Sequence, residues 1–159
     1  MELMKKNLRR LKYDCEIEVI DLLKIDNQLK YDLVILDAPC SSIGTVRRHP
    51  EILFRKKIPD LKKITFLQAQ LLEKSKSLLK KNGILIYMVC SFFHEEGEKQ
   101  IKKFLKKNKN FSHIKFSSNL TKYTNNFTDK NGFYYVIPSK LDNNVLIDGF
   151  FAAILKKNV

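Results

Sequence analysis

The sequence predicts an α/β fold built on a mostly parallel sheet, and three observations carry that prediction. Short apolar runs of strand length alternate along the chain with amphipathic stretches of helical spacing. The strongest runs lack polar alternation, which is how strands covered on both faces read. The chain has 159 residues, 44% of them apolar, enough for one domain with a single core.

Residues 2–12 read as a helix, with Leu3, Leu8 and Leu11 on one side and cations on the other. Residues 16–20 alternate, with Ile17 and Val19 apolar, and predict a short strand ending in Asp21. Tyr31 to Leu36 is a partly β-branched run that predicts a strand buried on both faces. Pro59-Asp60 opens a long helix over 61–80, in which Leu61, Ile64, Leu67, Leu71 and Leu78 keep a helical spacing. Lys80-Lys81-Asn82-Gly83 supplies its closing cations and cap. Ile84 to Val89 is a second buried-type strand. A helix at about 95–107 follows, with Glu95, Glu96 and Glu98 in its first turn and Lys103, Lys106 and Lys107 in its last. A strand near 111–116, a polar loop through 131 and strands near 133–137 and 149–155 complete the chain. The last two, joined by the turn-rich Ser139 to Asn144, read as an antiparallel pair at the sheet edge.

Thirty Lys and Arg against 17 Asp and Glu give a net charge of +13, which suits a polyanionic partner. Twenty-five of those cations are Lys and there are 12 Asn, a bias that base composition alone can produce. The longest apolar run, Ile84 to Cys90, has seven residues, too few for a membrane span. The charged N-terminus lacks the apolar centre of a signal peptide. Three cysteines, Cys15, Cys40 and Cys90, do not make a disulfide framework, so a reducing cytoplasm is expected. Cys15 is expected in the core.

In open sheets of this type, ligands bind beyond the carboxyl ends of the strands. The strand over 31–36 runs into Asp37-Ala38-Pro39-Cys40-Ser41, and the strand over 84–89 into Cys90-Ser91. Consecutive strands of one crossover thus bring a thiol to the same face, and a thiolate there is a strong, polarisable nucleophile. Cys40, His49, Cys90 and His94 are also zinc-ligand types. Their irregular spacing, without a Cys-x-x-Cys knuckle, speaks against a metal site.

The stretch Asp32 to Leu36, Asp37-Ala38-Pro39-Cys40-Ser41 and Arg47-Arg48-His49-Pro50-Glu51 resembles the motif string of the RsmB/NOP family of RNA cytosine-5 methyltransferases. It is nearest to the bacterial branch acting on small-subunit (16S) ribosomal RNA. Gln68 to Leu79, Gly83 to Ser91, Glu95-Glu96 and Asp148-Gly149-Phe150-Phe151 follow in the family's order, so the resemblance covers nearly the whole chain.

The resemblance implies a Rossmann-like S-adenosylmethionine-dependent methyltransferase fold with an antiparallel C-terminal edge. It implies methylation of carbon 5 of a cytosine in RNA, with Cys90 as the nucleophile that attacks carbon 6 and Cys40 assisting proton loss or release. Asp37 is expected at the cytosine edge near the methyl donor, and Asp21 on the adenine side of the cofactor. Arg47 and Arg48 are candidates for RNA phosphate, with ordinary ion pairing the alternative. The sequence departs from the family's pattern at Val89, where Thr is usual, and at His94-Glu95-Glu96-Gly97, where Pro-Glu-Glu-Asn is usual. None of the glycines at 44, 83, 97, 132 and 149 forms the family's glycine-rich cofactor loop. Residues 1–159 are therefore expected to be an N-terminally truncated, partial catalytic domain, without the cofactor loop and the upstream RNA-binding region. An upstream fragment of the same enzyme is then a possible partner. The rival expectation is a non-catalytic remnant acting as an RNA- or protein-binding module.

Overall fold

The computed structural model describes residues 2–26, 28–54, 60–116, 127–140 and 146–159. Helix α1 (Glu2–Leu11) leads through an irregular segment and a single helical turn at Leu22–Lys24 to strand β1 (Tyr31–Asp37). Two more single turns, Ile43–Thr45 and Pro50–Phe54, precede α2 (Leu61–Ser77), β2 (Leu79–Val89), α3 (Glu98–Lys107) and β3 (Phe111–Ile114). Strands β4 (Tyr134–Val136), β5 (Ser139–Lys140), β6 (Leu146–Ile147) and β7 (Phe150–Lys157) follow.

The main sheet runs β1-β2-β7-β3, with β4 also paired to β7. Strands β1 and β2 are parallel, and β7 is antiparallel to β2, β3 and β4 alike. Four of the five strands therefore point one way, the mixed and mostly parallel order expected of a Rossmann-like sheet. The β4–β7 pair is antiparallel as expected, but β7 lies inside the sheet, between β2 and β3, and not at its edge. Its sequence explains the position: Phe151, Ala152, Ala153 and Leu155 are all buried, so both sides of the strand read as interior. Strands β5 and β6 form a separate small hairpin.

One face of the sheet carries the core. Leu85, Tyr87 and Val89 of β2 and Phe151, Ala153 and Leu155 of β7 have no exposed surface, and they lie under Leu71 and Leu72 of α2 and Ile101 and Phe104 of α3. Asp60 starts α2 by accepting hydrogen bonds from the backbone N–H groups of Lys62 and Lys63. Tyr87 can be buried because its hydroxyl donates to the carbonyl of Glu96 at 2.6 Å.

The other face is different. Leu33 and Ile35 pair with Ile84 and Ile86 in register, so these four side chains share a face. There Leu33 is 49% and Ile35 56% exposed. The expectation that β1 is buried on both faces is corrected: among the described residues helices cover one face only, and β1 has a strand neighbour on one side only. The strand expected over 16–20 does not form, and that segment has no ladder partner among the described residues. Alternation alone cannot hold a strand without a neighbour. Cys15 is exposed, not in the core, and α1 forms where expected but buries none of its residues. The helix expected to 80 ends at Ser77, because Leu79 already enters β2; Asn82 takes a left-handed φ of 61° at the irregularity between the two halves of the β1–β2 register. Of the expected loop through 131, residues 117–126 lie outside the described residues, as do residues 141–144 of the expected turn-rich Ser139 to Asn144, whose first two residues form β5.

Candidate active site

The site grows from the carboxyl ends of β1 and β2. The parallel ladder continues one step past β1, where the Ala38 N–H donates to the carbonyl of Met88 at 3.0 Å. Pro39, with no N–H, ends it, and the chain turns away carrying Cys40. Strand β2 ends at Val89 and presents Cys90 two residues beyond the register partner of Asp37. The two expected thiols are brought together, Sγ to Sγ, at 3.2 Å. The Cys90 Sγ also approaches the Ser42 hydroxyl at 3.7 Å.

Burial, followed by the hydrogen bond to Cys90, pushes the Cys40 thiol up to about 12. Cys40 thus keeps its proton at neutral pH, and the two sulfurs share a hydrogen bond in which either can donate. When Cys40 is the donor, it stabilises negative charge on the Cys90 sulfur.

A buried carboxylate lies behind the thiols. Glu96 Oε2 accepts from the hydroxyls of Ser41 and Ser91, each at 2.5 Å. Its Oε1 accepts from the Ser41 N–H at 2.8 Å and from the Gln68 side-chain amide at 3.1 Å. Gln68 also donates to the carbonyl of Pro39 at 2.9 Å. Glu96 was expected in the first turn of a helix; instead α3 begins at Glu98 and Glu96 faces inward with no exposed surface. A repeated Cys-Ser pair at the two strand ends was the signal in the sequence that could have pointed to it.

The loop after Cys40 is pinned from both sides. The Gly44 N–H donates to the carbonyl of Cys90 at 3.1 Å, and the Gly149 N–H donates to the carbonyl of Gly44 at 2.8 Å. Next to this contact, Asp148 accepts from Arg47 Nε at 3.2 Å and from Arg48 Nε at 2.5 Å. The two arginines are thus held together by a residue 100 positions away, which sequence reasoning had not assigned to them. His49 pairs with Glu51 at 3.0 Å, and His94 stacks on Tyr135 with ring centres 5.4 Å apart, so neither histidine joins the thiols.

The two candidate cofactor acids stand apart from this cluster. Asp37 is exposed at the end of β1, at a position that alternation places on the open face with Leu33 and Ile35. Asp21 is exposed too and caps the turn at Leu22–Lys24, accepting from the Leu23 N–H at 3.0 Å. These acids fit the amine and hydroxyl donors of an S-adenosylmethionine molecule. Among the described residues no glycine-rich backbone loop accompanies them.

Residues 1–156 match the model of a family described as 16S rRNA methyltransferase RsmB/F. Ribosomal RNA small subunit methyltransferase B of Yersinia enterocolitica is 36% identical over 107 residues, 65% of this chain and 25% of that protein. The enzyme of the same name from Pasteurella multocida is 41% identical over 83 residues, 52% and 19% of the two chains. The matched region spans about a quarter or less of the length of these relatives. Among solved structures, PH0851 superposes with a TM-score of 0.81 at 32% identity, over 98% of this chain and 34% of that one. NSun6 from Pyrococcus horikoshii, solved with SFG, shares the fold at a TM-score of 0.77 and 22% identity, over 98% of this chain and 38% of that one.

Proposed function

Since the chain belongs to the 16S rRNA methyltransferase RsmB/F family, we propose that it carries the chemical centre for methylation of carbon 5 of a cytosine in small-subunit (16S) ribosomal RNA. The observation that carries this reading is the pair of sulfurs 3.2 Å apart at the carboxyl ends of two adjacent parallel strands.

Cytosine is a poor carbon nucleophile while its ring stays conjugated. Addition of the Cys90 sulfur to carbon 6 removes that conjugation and makes carbon 5 electron-rich. S-adenosylmethionine supplies the electrophilic methyl group. Asp37, exposed at the end of β1, accepts a hydrogen bond from the cytosine amino group and lies beside the donor. Asp21 contacts the adenine side. After transfer, a solvent water takes the proton from carbon 5, the C–H electrons restore the double bond between carbons 5 and 6, and the bond from carbon 6 to Cys90 breaks, returning its electron pair to sulfur. The Cys40 thiol, 3.2 Å from that sulfur, stabilises the departing thiolate by donating to it. Arg47 and Arg48 use Nε on Asp148, which leaves their terminal nitrogens for RNA phosphate.

The open apolar face of β1 and β2 and the absence of a glycine-rich loop among the described residues support one further part of this reading. A segment carrying such a loop, in the same polypeptide or as a separate fragment, pairs with the outer side of β1 and completes the cofactor pocket. The reaction belongs in the cytoplasm, with the ribosomal RNA.

The test uses the chain joined to, or mixed with, that upstream segment. Cys90→Ala abolishes both methyl transfer and covalent trapping on RNA containing 5-fluorocytosine, whereas Cys40→Ala accumulates a protein–RNA adduct that survives denaturing electrophoresis. Normal turnover by Cys90→Ala would overturn the assignment, and less adduct from Cys40→Ala than from the parent would exchange the two roles.

A further inference from the structure

We propose that Glu96 is the positioning residue that sets the separation of the two thiols. Its catalytic meaning rests on the methyltransferase reading, but the geometry is independent of it. Each thiol is followed directly by a serine, Ser41 after Cys40 and Ser91 after Cys90. Both hydroxyls converge on one oxygen of the same carboxylate, at 2.5 Å each. The loops so joined leave different strands and are 50 residues apart in sequence. One carboxylate therefore fixes, at once, the residue beside each sulfur.

The physical case is that this arrangement is costly unless it is complete. Glu96 is the only buried acid among the described residues. A carboxylate out of water needs its lone pairs filled, and charge-assisted hydrogen bonds are the short, strong ones that can fill them. Four donors do so here: two hydroxyls, the Ser41 N–H and the Gln68 amide. Gln68 is itself held, because its side-chain oxygen accepts from Gln100 at 3.3 Å. The Glu96 backbone is fixed by the Tyr87 hydroxyl. An apolar side chain in this place would fill the volume and let both loops settle independently. The carboxylate ties them to a common point, so the Cβ positions of Cys40 and Cys90 cannot drift apart without leaving a buried charge short of a partner.

The test reads thiol separation directly and needs neither RNA nor cofactor. In the Cys15→Ser chain the only remaining thiols are Cys40 and Cys90. Dibromobimane joins two neighbouring thiols, each sulfur displacing one bromide as its proton leaves, and fluoresces only when both arms have reacted. Ser91→Ala and Ser41→Ala each remove one arm of the clamp, and Glu96→Gln reverses its polarity toward two donors. The bridging rate should fall about tenfold in each variant, since a shift on the order of 1 Å is enough to spoil a two-point reaction. Alkylation of single thiols by iodoacetamide should change less than about twofold under the same criterion. A purely structural role predicts the opposite: a lower melting temperature with bridging unchanged well below it, and that result would overturn the proposal. Should Glu96→Gln fail to fold, the two serine variants decide alone. A chain that bridges as predicted yet never methylates RNA in any completed enzyme would remove the methyltransferase reading and leave the clamp standing.

Discussion

Gly44→Ala tests whether the site depends on the close approach of two backbones. A Cβ built on Gly44 would lie 2.1 Å from the carbonyl oxygen of Gly149, 2.7 Å from its carbon and 2.9 Å from the carbonyl oxygen of Cys90. All three are backbone atoms, so no side chain can swing aside. Ordinary contact begins at 3.4 Å, so the 149 loop must retreat by more than about 1 Å, far beyond what a close-packed interior absorbs. That retreat breaks the hydrogen bonds from Gly44 to Cys90 and from Gly149 to Gly44. Each costs about 1 kcal/mol, and the forced expansion adds about 1–3 kcal/mol. The total, about 3–5 kcal/mol, corresponds to a fall of roughly 10 °C in melting temperature for a chain of this size. Thermal unfolding followed by circular dichroism measures it. Gly83→Ala is the internal comparison, because its nearest atoms stand at 3.0–3.2 Å and should cost less than half as much. A Gly44→Ala chain melting within about 2 °C of the parent, or a Gly83→Ala chain losing as much, would refute the argument.

Three further outcomes are expected. Because burial and then Cys90 hold the Cys40 thiol up at about 12, well above its ordinary range, alkylation at pH 8 followed by mass spectrometry should label exposed Cys15 first and Cys40 by orders of magnitude more slowly. The same shift favours the folded state below about pH 9 and loses that contribution as pH rises toward about 12, so Cys40→Ser should flatten the decline in stability across that window. The 159-residue chain by itself should bind S-adenosylmethionine weakly or not at all in titration calorimetry while binding RNA with an affinity that falls steeply with salt. Micromolar cofactor affinity would contradict the need for an upstream segment, and failure of that segment to restore binding would favour a non-catalytic binding module.

The sequence carried the parts of the fold whose signals are local. The spacing of Leu61, Ile64, Leu67 and Leu71 marks α2, and the continuous apolar run Ile84 to Val89 marks β2, because both elements pack against the one core. It also brought Cys40 and Cys90 to a common face, since that follows from strand ends in a crossover. It failed where a neighbour decides. Ile17 and Val19 alternate like a strand but have no strand partner among the described residues, and β7 looked like an edge only because β4 precedes it in the chain. Glu96 was missed for a further reason: patterning treats an acid at the start of a helix as a surface group, and the repeated Cys-Ser pair that hints otherwise gains its meaning only once the fold brings Ser41 and Ser91 together. The hold of Asp148 on Arg47 and Arg48 was hidden in the same way, behind a separation of 100 residues.

One side of β1 is uncovered among the described residues, and this bears on how the molecule behaves in a tube. A sheet edge with Leu33 and Ile35 half exposed beside it is a template on which identical copies can stack. What keeps them apart is the net charge of +13, which makes every encounter between two chains repulsive. That protection is ionic and therefore conditional: concentrated salt screens it, and a polyanion neutralises it. Preparations should stay clear at low ionic strength and cloud as salt is raised, the reverse of the salting-in usual for a protein near its isoelectric point.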